Sequence, residues 1–250
     1  MRISRFINSF ILFFFPVCIS RCFIRIFRIR GITIGDNCRI GFSYINCESL
    51  VILDNSSIGH FNIIKIKSLE LRGAKIKHFN FVKGNFSLQF DKESWMHSLN
   101  KIASDWNEID RPRRFYLKQG AAVMVKNSFD VTDSITIGEG SLIAGSGSQI
   151  WTHAFYLGEK KRPCVIDDVV IGKRCYVGSR VVICSGVHIC DDVALGAGVT
   201  VAKDILNKGL YVNQPLRFID YDADSSIENL SMVKDGAFKY YRKNKQKDYR

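Results

Sequence analysis

Five histidines are the side chains best suited to move a proton near neutral pH in this sequence, and they are not equivalent. His153 stands in residues 149–155, QIWTHAF, directly before a stretch that interrupts an otherwise regular pattern. An imidazole at such a break suits general-base work on a hydroxyl or an amine; the competing reading is a structural or surface histidine. Asp130 and Asp133, in NSFDVTDSITIG, precede it. An aspartate that accepts from the imidazole raises its basicity and fixes its tautomer, whereas an aspartate at a turn serves its own backbone. Trp151 and Tyr156 flank His153 and offer aromatic faces for stacking or for packing. His188 falls at an outward position of the pattern. His60, His78 and His97 read as ordinary surface residues.

The element that must position these groups is a six-residue repeat. From Val165 the chain divides into VIDDVV, IGKRCY, VGSRVV, ICSGVH, ICDDVA, LGAGVT and VAKD. Position one is Val165, Ile171, Val177, Ile183, Ile189, Leu195 and Val201; position five is Val169, Cys175, Val181, Val187, Val193 and Val199. Position two is glycine at 172, 178 and 196. Each unit predicts a short flat strand whose aliphatic enters the core beside a corner, with Gly or Asp permitting the turn. Three units close a triangular coil, and coils stack about 4.8 Å apart through backbone hydrogen bonds. Earlier, Ile137 and Ile143 keep the register with Ser141 at position five. Ile34, Ile40, Ile52, Ile58, Ile64, Ile76, Val82 and Leu88 share a register interrupted at Asn46 and Glu70, which reads as a ragged extension of the same structure.

Two segments break the period. Residues 91–118 space Trp95, Leu99, Ile102 and Trp106 as a helix would, and predict a helical excursion ending before Pro112. Between Gln149 and Val165 about ten residues are extruded as a loop, about 154–164, the kind of place where function concentrates on rigid repeats. The chain therefore divides into an N-terminal segment (1–30), a repeat domain (31–220) and a basic tail (221–250). The tail is expected to be a helix capping the open end, or partly disordered. Residues 6–19, FINSFILFFFPVCI, are too short to span a membrane, for which about 20 apolar residues are needed. With Arg21, Arg25, Arg28 and Arg30 they suit an interfacial helix on an anionic membrane or a helix packed on the fold, with a cleaved secretory signal as the third reading.

The formal charge of +12 favours anionic partners, whether nucleic acid, lipid or a phosphate-bearing ligand. No helix-turn-helix, zinc-finger or RRM signature favours nucleic acid. Eight cysteines without a C-x-x-C pair argue against structural zinc. Cys38 and Cys175 fall at compact core positions, so the cysteines read as reduced small hydrophobes, which points to the cytoplasm.

The hexad run, the Thr152–His153 pair at the base of the loop and the closing VTVAKD resemble the hexapeptide-repeat acyltransferases. Among them the likeness is to bacterial sugar O-acetyltransferases of polysaccharide biosynthesis. It covers about residues 130–220, with weaker support for 31–90, and its pattern [LIV]-[GAED]-x-x-[STAVC]-x is specific for the fold but not for the acceptor. The resemblance implies a mainly β, left-handed parallel β-helix and a homotrimer with sites between subunits. It also implies acetyl-CoA as co-substrate, a saccharide acceptor, no metal and no nucleic acid. It makes His153 the general base, Asp130 or Asp133 the group that orients it or meets the acceptor, and Trp151 or Tyr156 a platform for a sugar ring. For CoA it points to Gly178, Ser179, Ser185, Gly186, Gly196 and Ala197 along the coils, with Lys203 and Arg217 toward the phosphates. Two departures put the CoA details in question: the usual closing A-G-x-P-A-[KR] stands here as VNQPLR (212–217), and a frequent tryptophan is Val170.

Two other readings share the fold: an N-acyltransferase of nucleotide-linked amino sugars, and a non-catalytic scaffold for a partner or membrane. A γ-class carbonic anhydrase needs three zinc-binding histidines, and His153 and His188 do not supply that spacing.

Overall fold

Short strands alternating with corners wind the chain into a parallel β-solenoid of the left-handed type, with about nine turns. A computed structural model describes residues 31–104, 112–155 and 164–213, and the backbone of 230–234 and 240–243. The first unit, which ends at Asn213, contains the solenoid. Its three faces are parallel sheets of eight, nine and eight strands. Face A begins with Ile32–Ile34, face B with Arg39–Ile40 and face C with Tyr44–Asn46. Each strand pairs with the strand one coil away, so Ile32 meets Leu50 and Tyr176 meets Ala194. The second unit, which begins at Gln214, contains the antiparallel pair Leu230–Lys234 and Tyr240–Lys243, strands where the sequence suggested a helical cap.

The repeat dictates what goes inside. Ile171, Val177, Ile183, Ile189, Leu195 and Val201 are buried at position one, and Val169 through Val199 are buried at position five. β-Branched side chains suit these flat strands because both faces of a coil must be filled at fixed width. The exception is Val165, which is 40% exposed. It lies outside the core because it pairs with Ala154 in an antiparallel hairpin that leaves the coil. Cys175 is buried and its burial pushes the thiol up, while Cys38 packs part-buried against the core.

The glycines work differently from the sequence expectation. The turn falls at position four, where Arg174, Arg180, Gly186, Asp192 and Gly198 all take positive φ. Glycine at position two answers close approach instead: a Cβ on Gly178 would lie 2.8 Å from the Leu195 carbonyl oxygen of the next coil.

The segment 91–118 is not a helix where it is described. It continues the coils with Trp95–Met96, Lys101–Ala103 and Arg114–Leu117, and 105–111, with Trp106, lie outside the described residues. The inward residues are Phe90, Met96 and Ile102, spaced by six and fully buried. The helical spacing was carried instead by Trp95, only part-buried on face B, and Leu99, which is exposed at a corner. The slips at Asn46 and Glu70 also have a cause. Some coils are longer than eighteen residues, so Ser49 meets Ser68 and Ser87 meets Arg114 without breaking the stack. The stretch 1–30 lies outside the described residues, and among those described no helix is long and apolar enough to cross a membrane.

A buried polar column joins the coils at the start of face C. Asn80, Asn100, Asn127 and Ser148 each donate a backbone N–H, at 2.9 Å, to the side-chain oxygen of the asparagine one coil earlier. Every member satisfies its neighbour, so the column is stable only when complete. Asn100→Ala removes the acceptor for the Asn127 N–H and is expected to cost about 1–3 kcal/mol. Denaturant unfolding followed by circular dichroism checks this; an unchanged midpoint contradicts it.

Candidate active site

The loop that breaks the period leaves from the edge between faces C and A. Gln149–Ile150 ends face C in its coil, and His153–Phe155 then turns out to pair antiparallel with Cys164–Ile166. The chain rejoins face A at Val169–Ile171. His153 is thus the first residue of a two-stranded stalk rooted in rigid coil. The stalk closes before 156–163, which with Tyr156 lie outside the described residues.

One coil earlier, Ser128–Asp130 runs beside Gln149–Ile150, with Ser128 opposite Gln149. This places Asp130 next to the base of the stalk. Its Oδ2 lies 2.8 Å from His153 Nδ1. A carboxylate can only accept, so the neutral imidazole carries its proton on Nδ1 and points that proton at Asp130. The carboxylate is itself fixed: Oδ1 accepts from the Thr132 hydroxyl at 2.8 Å, and Oδ2 accepts from the Thr152 N–H at 3.1 Å. The Thr152 hydroxyl lies 2.9 Å from Oδ2 and 2.8 Å from the Asp130 carbonyl, and it accepts the Asp133 N–H at 2.8 Å. Asp130 is therefore an orienting group with its own supports, the arrangement that holds a base in one tautomer.

The rings complete the mouth. Trp151 and Phe155 both stand edge-on to the imidazole at centroid distances of 5.8 Å, and both are exposed. Trp151 also donates its indole N–H to Gln149 Oε1 at 3.2 Å. A shallow pocket of about 150 Å³ opens here, lined by Lys101, Ala103, Ser128, Asp130, Trp151 and His153.

Three of the residues singled out in the sequence thus meet: Asp130, Trp151 and His153. Asp133 is buried at the corner, where its Oδ1 accepts the Ser134 N–H at 2.7 Å. Sequence reasoning missed Phe155, Thr132 and Lys101. It also quoted the Thr152–His153 pair without giving Thr152 a task. Phe155 was legible from alternation along the stalk, which puts residues 153 and 155 on one side.

The residues proposed for CoA do not converge in one chain. Ser185, Gly186 and Lys203 lie along the same C/A edge as His153, in the following coils. Gly178, Ser179, Gly196 and Ala197 lie on the B/C edge, across face C. Gly178 is buried and packs its backbone on the next coil, while Ala197 and Lys203 are exposed. Arg217 lies outside the described residues. A groove using both sets must cross face C or be shared between two copies.

The other histidines stand apart. His188 is exposed on face A, with Nε2 3.2 Å from Asp168 Oδ1. His60 and His78 stack in parallel at 5.6 Å, and each takes a backbone N–H on Nδ1, from Phe42 and from His60 respectively. His97 accepts the Ser98 N–H in the same way. These three are corner-capping residues rather than ordinary surface ones. Among the described residues no three His, Cys, Asp or Glu side chains are grouped as a metal site.

Comparison with known proteins returns the same repeat. Residues 168–203 match the family model described as bacterial transferase hexapeptide (six repeats), and residues 21–43 match the hexapeptide repeat of succinyl-transferase. A serine acetyltransferase of Bacillus pumilus (strain SAFR-032) is 25% identical over 107 residues. Those residues are 43% of each chain, so the match spans less than half of that relative. Among solved structures, the polySia-specific acetyltransferase NeuO aligns at 20% identity with a TM-score of 0.43, over 76% of this chain and 86% of its own. The polysialic acid O-acetyltransferase OatWY aligns at 14% identity with a TM-score of 0.42, over 74% and 86%. A mutant of AntD, an N-acyltransferase from Bacillus cereus, aligns at 16% identity with a TM-score of 0.35, over 82% and 91%. The resemblance read from the hexads, to a hexapeptide-repeat acyltransferase, is borne out.

The Asp130 contact predicts a spectroscopic signature. In long-range ¹⁵N–¹H spectra, His153 is expected to show the Nδ1-protonated tautomer, and Asp130→Ala is expected to shift it toward the Nε2–H form. An unchanged tautomer in that variant means Asp130 does not orient the ring.

Proposed function

We propose that the chain is a CoA-dependent acyltransferase that moves an acetyl group to a sugar hydroxyl in surface polysaccharide biosynthesis, with His153 as general base. The observation that carries this reading is the Asp130–His153 pair at the root of the loop leaving a hexapeptide solenoid. The matched transferase repeat and the serine acetyltransferase relative support acyl transfer as the reaction class.

With Nδ1 committed to Asp130, the basic atom is Nε2. It takes the proton of the acceptor hydroxyl as that oxygen attacks the thioester carbonyl carbon. Collapse of the tetrahedral adduct breaks the C–S bond, and the imidazolium returns the proton to the departing sulfur. The products are the acetyl ester and free CoA thiol. Asp130 steadies the transient imidazolium, and the supports from Thr132 and Thr152 hold it in place without reorganisation. Trp151 and Phe155 offer apolar edges to a sugar ring beside the base.

For the donor, Ser185, Gly186 and Lys203 extend from His153 along one edge. Gly178, Ser179, Gly196 and Ala197 present small side chains on the other, where a backbone can approach closely. A homotrimer that sets the B/C edge of one copy against the C/A edge of the next brings the two sets together. We place the reaction in the cytoplasm, where the CoA donor is made, with residues 1–30 as a peripheral contact for a lipid-linked acceptor.

His153→Ala is expected to lower acetyl-CoA turnover at least ~10²-fold, the scale of a lost general base, while the oligomer by light scattering stays the same. Release of CoA thiol is the readout. Turnover within a few-fold of the parent rejects His153 as the base.

A further inference from the structure

The edge between faces C and A, from which the stalk of His153 leaves, is also where the protein buries a permanent charge. Arg113 is 3% exposed, and it is the one buried cation among the described residues. The residue after it, Arg114, pairs with Ser87, so Arg113 stands over Phe86, which is also buried. An apolar ring thus fills this place one coil earlier, and filling the corner does not require a guanidinium. Taking a charge out of water is unfavourable unless its donors are bonded.

Those donors reach both ways along the axis. Nη2 donates to the Asn85 carbonyl at 3.1 Å, and Nη1 donates to the Ser104 hydroxyl at 3.1 Å and to the Thr132 carbonyl at 3.4 Å. Asn85 belongs to the coil before and Thr132 to the coil after, so one planar group ties three successive turns of this edge. Thr132 is fully buried, and its hydroxyl donates to Asp130 Oδ1 at 2.8 Å, while Asp130 Oδ2 lies 2.8 Å from His153 Nδ1. The carbonyl that Arg113 binds and the hydroxyl that meets Asp130 belong to one residue. A displacement of the Thr132 backbone therefore carries the donor away from the carboxylate. The next residue grips the same corner again: the Arg114 N–H donates to the Ser134 hydroxyl at 3.2 Å, and the Ser134 N–H donates to Asp133 Oδ1.

From this chain of bonds we infer that Arg113 is a positioning residue for His153. It fixes Thr132 from the coil beneath, Thr132 fixes the Asp130 carboxylate, and Asp130 holds the imidazole in the tautomer that leaves Nε2 basic. Arg113 acts through Thr132 and Asp130 rather than on the reacting atoms. Its consequence for catalysis rests on the acyltransferase reading; the placement of the ring does not, and the test reads the ring.

Long-range ¹⁵N–¹H spectra of the full chain, with the His153 signals assigned by their loss in His153→Ala, report the tautomer of the neutral ring. Arg113→Met removes the donors, and is expected to raise the Nε2–H fraction about three-fold, the scale of one hydrogen bond lost. Arg113→Lys, which keeps the charge and one donor group, is expected to shift it the same way by less, and it carries the test if Arg113→Met does not fold. Thr132→Val removes the hydroxyl that meets Asp130 and is expected to shift the tautomer likewise. Adding Arg113→Met to Thr132→Val is expected to change the fraction by less than about 1.5-fold, because the two act along one route. Asn80→Ala removes the acceptor of the Asn100 N–H in the buried column at the opposite edge of face C. It is expected to lower stability and leave the tautomer as in the parent. An unchanged tautomer in both Arg113 variants, a shift matched by Asn80→Ala, or a full further shift in the Thr132→Val background overturns the inference. A parent that transfers no acetyl group, but whose ring responds to Arg113 as expected, rejects the acyltransferase reading and leaves the positioning role standing.

Discussion

Everything in this protein depends on coils that stack in register. A backbone N–H on one coil finds its carbonyl on the next, as Gly172 does with Ile189 at 2.8 Å, and the pairing repeats on all three faces. Identical positions therefore lie over one another at a spacing of about 4.8 Å, and any side chain placed at a given position forms a column. Aliphatic columns make the core, the asparagine column closes the start of face C, and glycine at position two removes a Cβ where two backbones nearly touch. The solenoid is less a scaffold that carries a site than a rule that decides which residues meet.

The Asp130–His153 pair is a product of that rule. The two residues are 23 apart in sequence, yet the pairing of Ser128 with Gln149 makes them neighbours. The extruded loop leaves the stack undisturbed because Ile135 still pairs with Val169, 34 residues on, as Phe115 pairs with Ile135, 20 residues on. Insertions at a corner lengthen a coil without moving the columns on either side. A loop can thus be added at the edge of face C while the groups beneath it remain held by Thr132 and Thr152.

How much of this the sequence discloses follows from the same physics. The hexads from Ile171 to Val201 were legible because every position-one residue there is buried, and burial leaves an aliphatic signature. Val165 matched the period by chance of type, since the hairpin that carries it also favours a β-branched residue. The coils from 91 to 118 were illegible as such: Trp95 and Leu99 face outward at a spacing that mimics a helix, and only Phe90, Met96 and Ile102 carry the true period. His153 and Asp130 could be singled out by type and placement, but Asp130 could not be separated from Asp133 without the coil register. Lys101 was invisible, because a lysine at an outward position reads as solvated surface until the register sets it in one pocket with His153.

The register also separates two kinds of specificity. Around one coil, a few angstroms decide which atoms meet, and there the chain places a histidine, its carboxylate and two rings. Along the axis, each further coil adds one outward residue to a column at fixed spacing, and there the chain places lysines and exposed rings. Chemistry can therefore stay fixed at residues 130–155 while the columns on earlier coils vary. A change at Lys65 alters that outward column without touching the hydrogen bonds that hold His153.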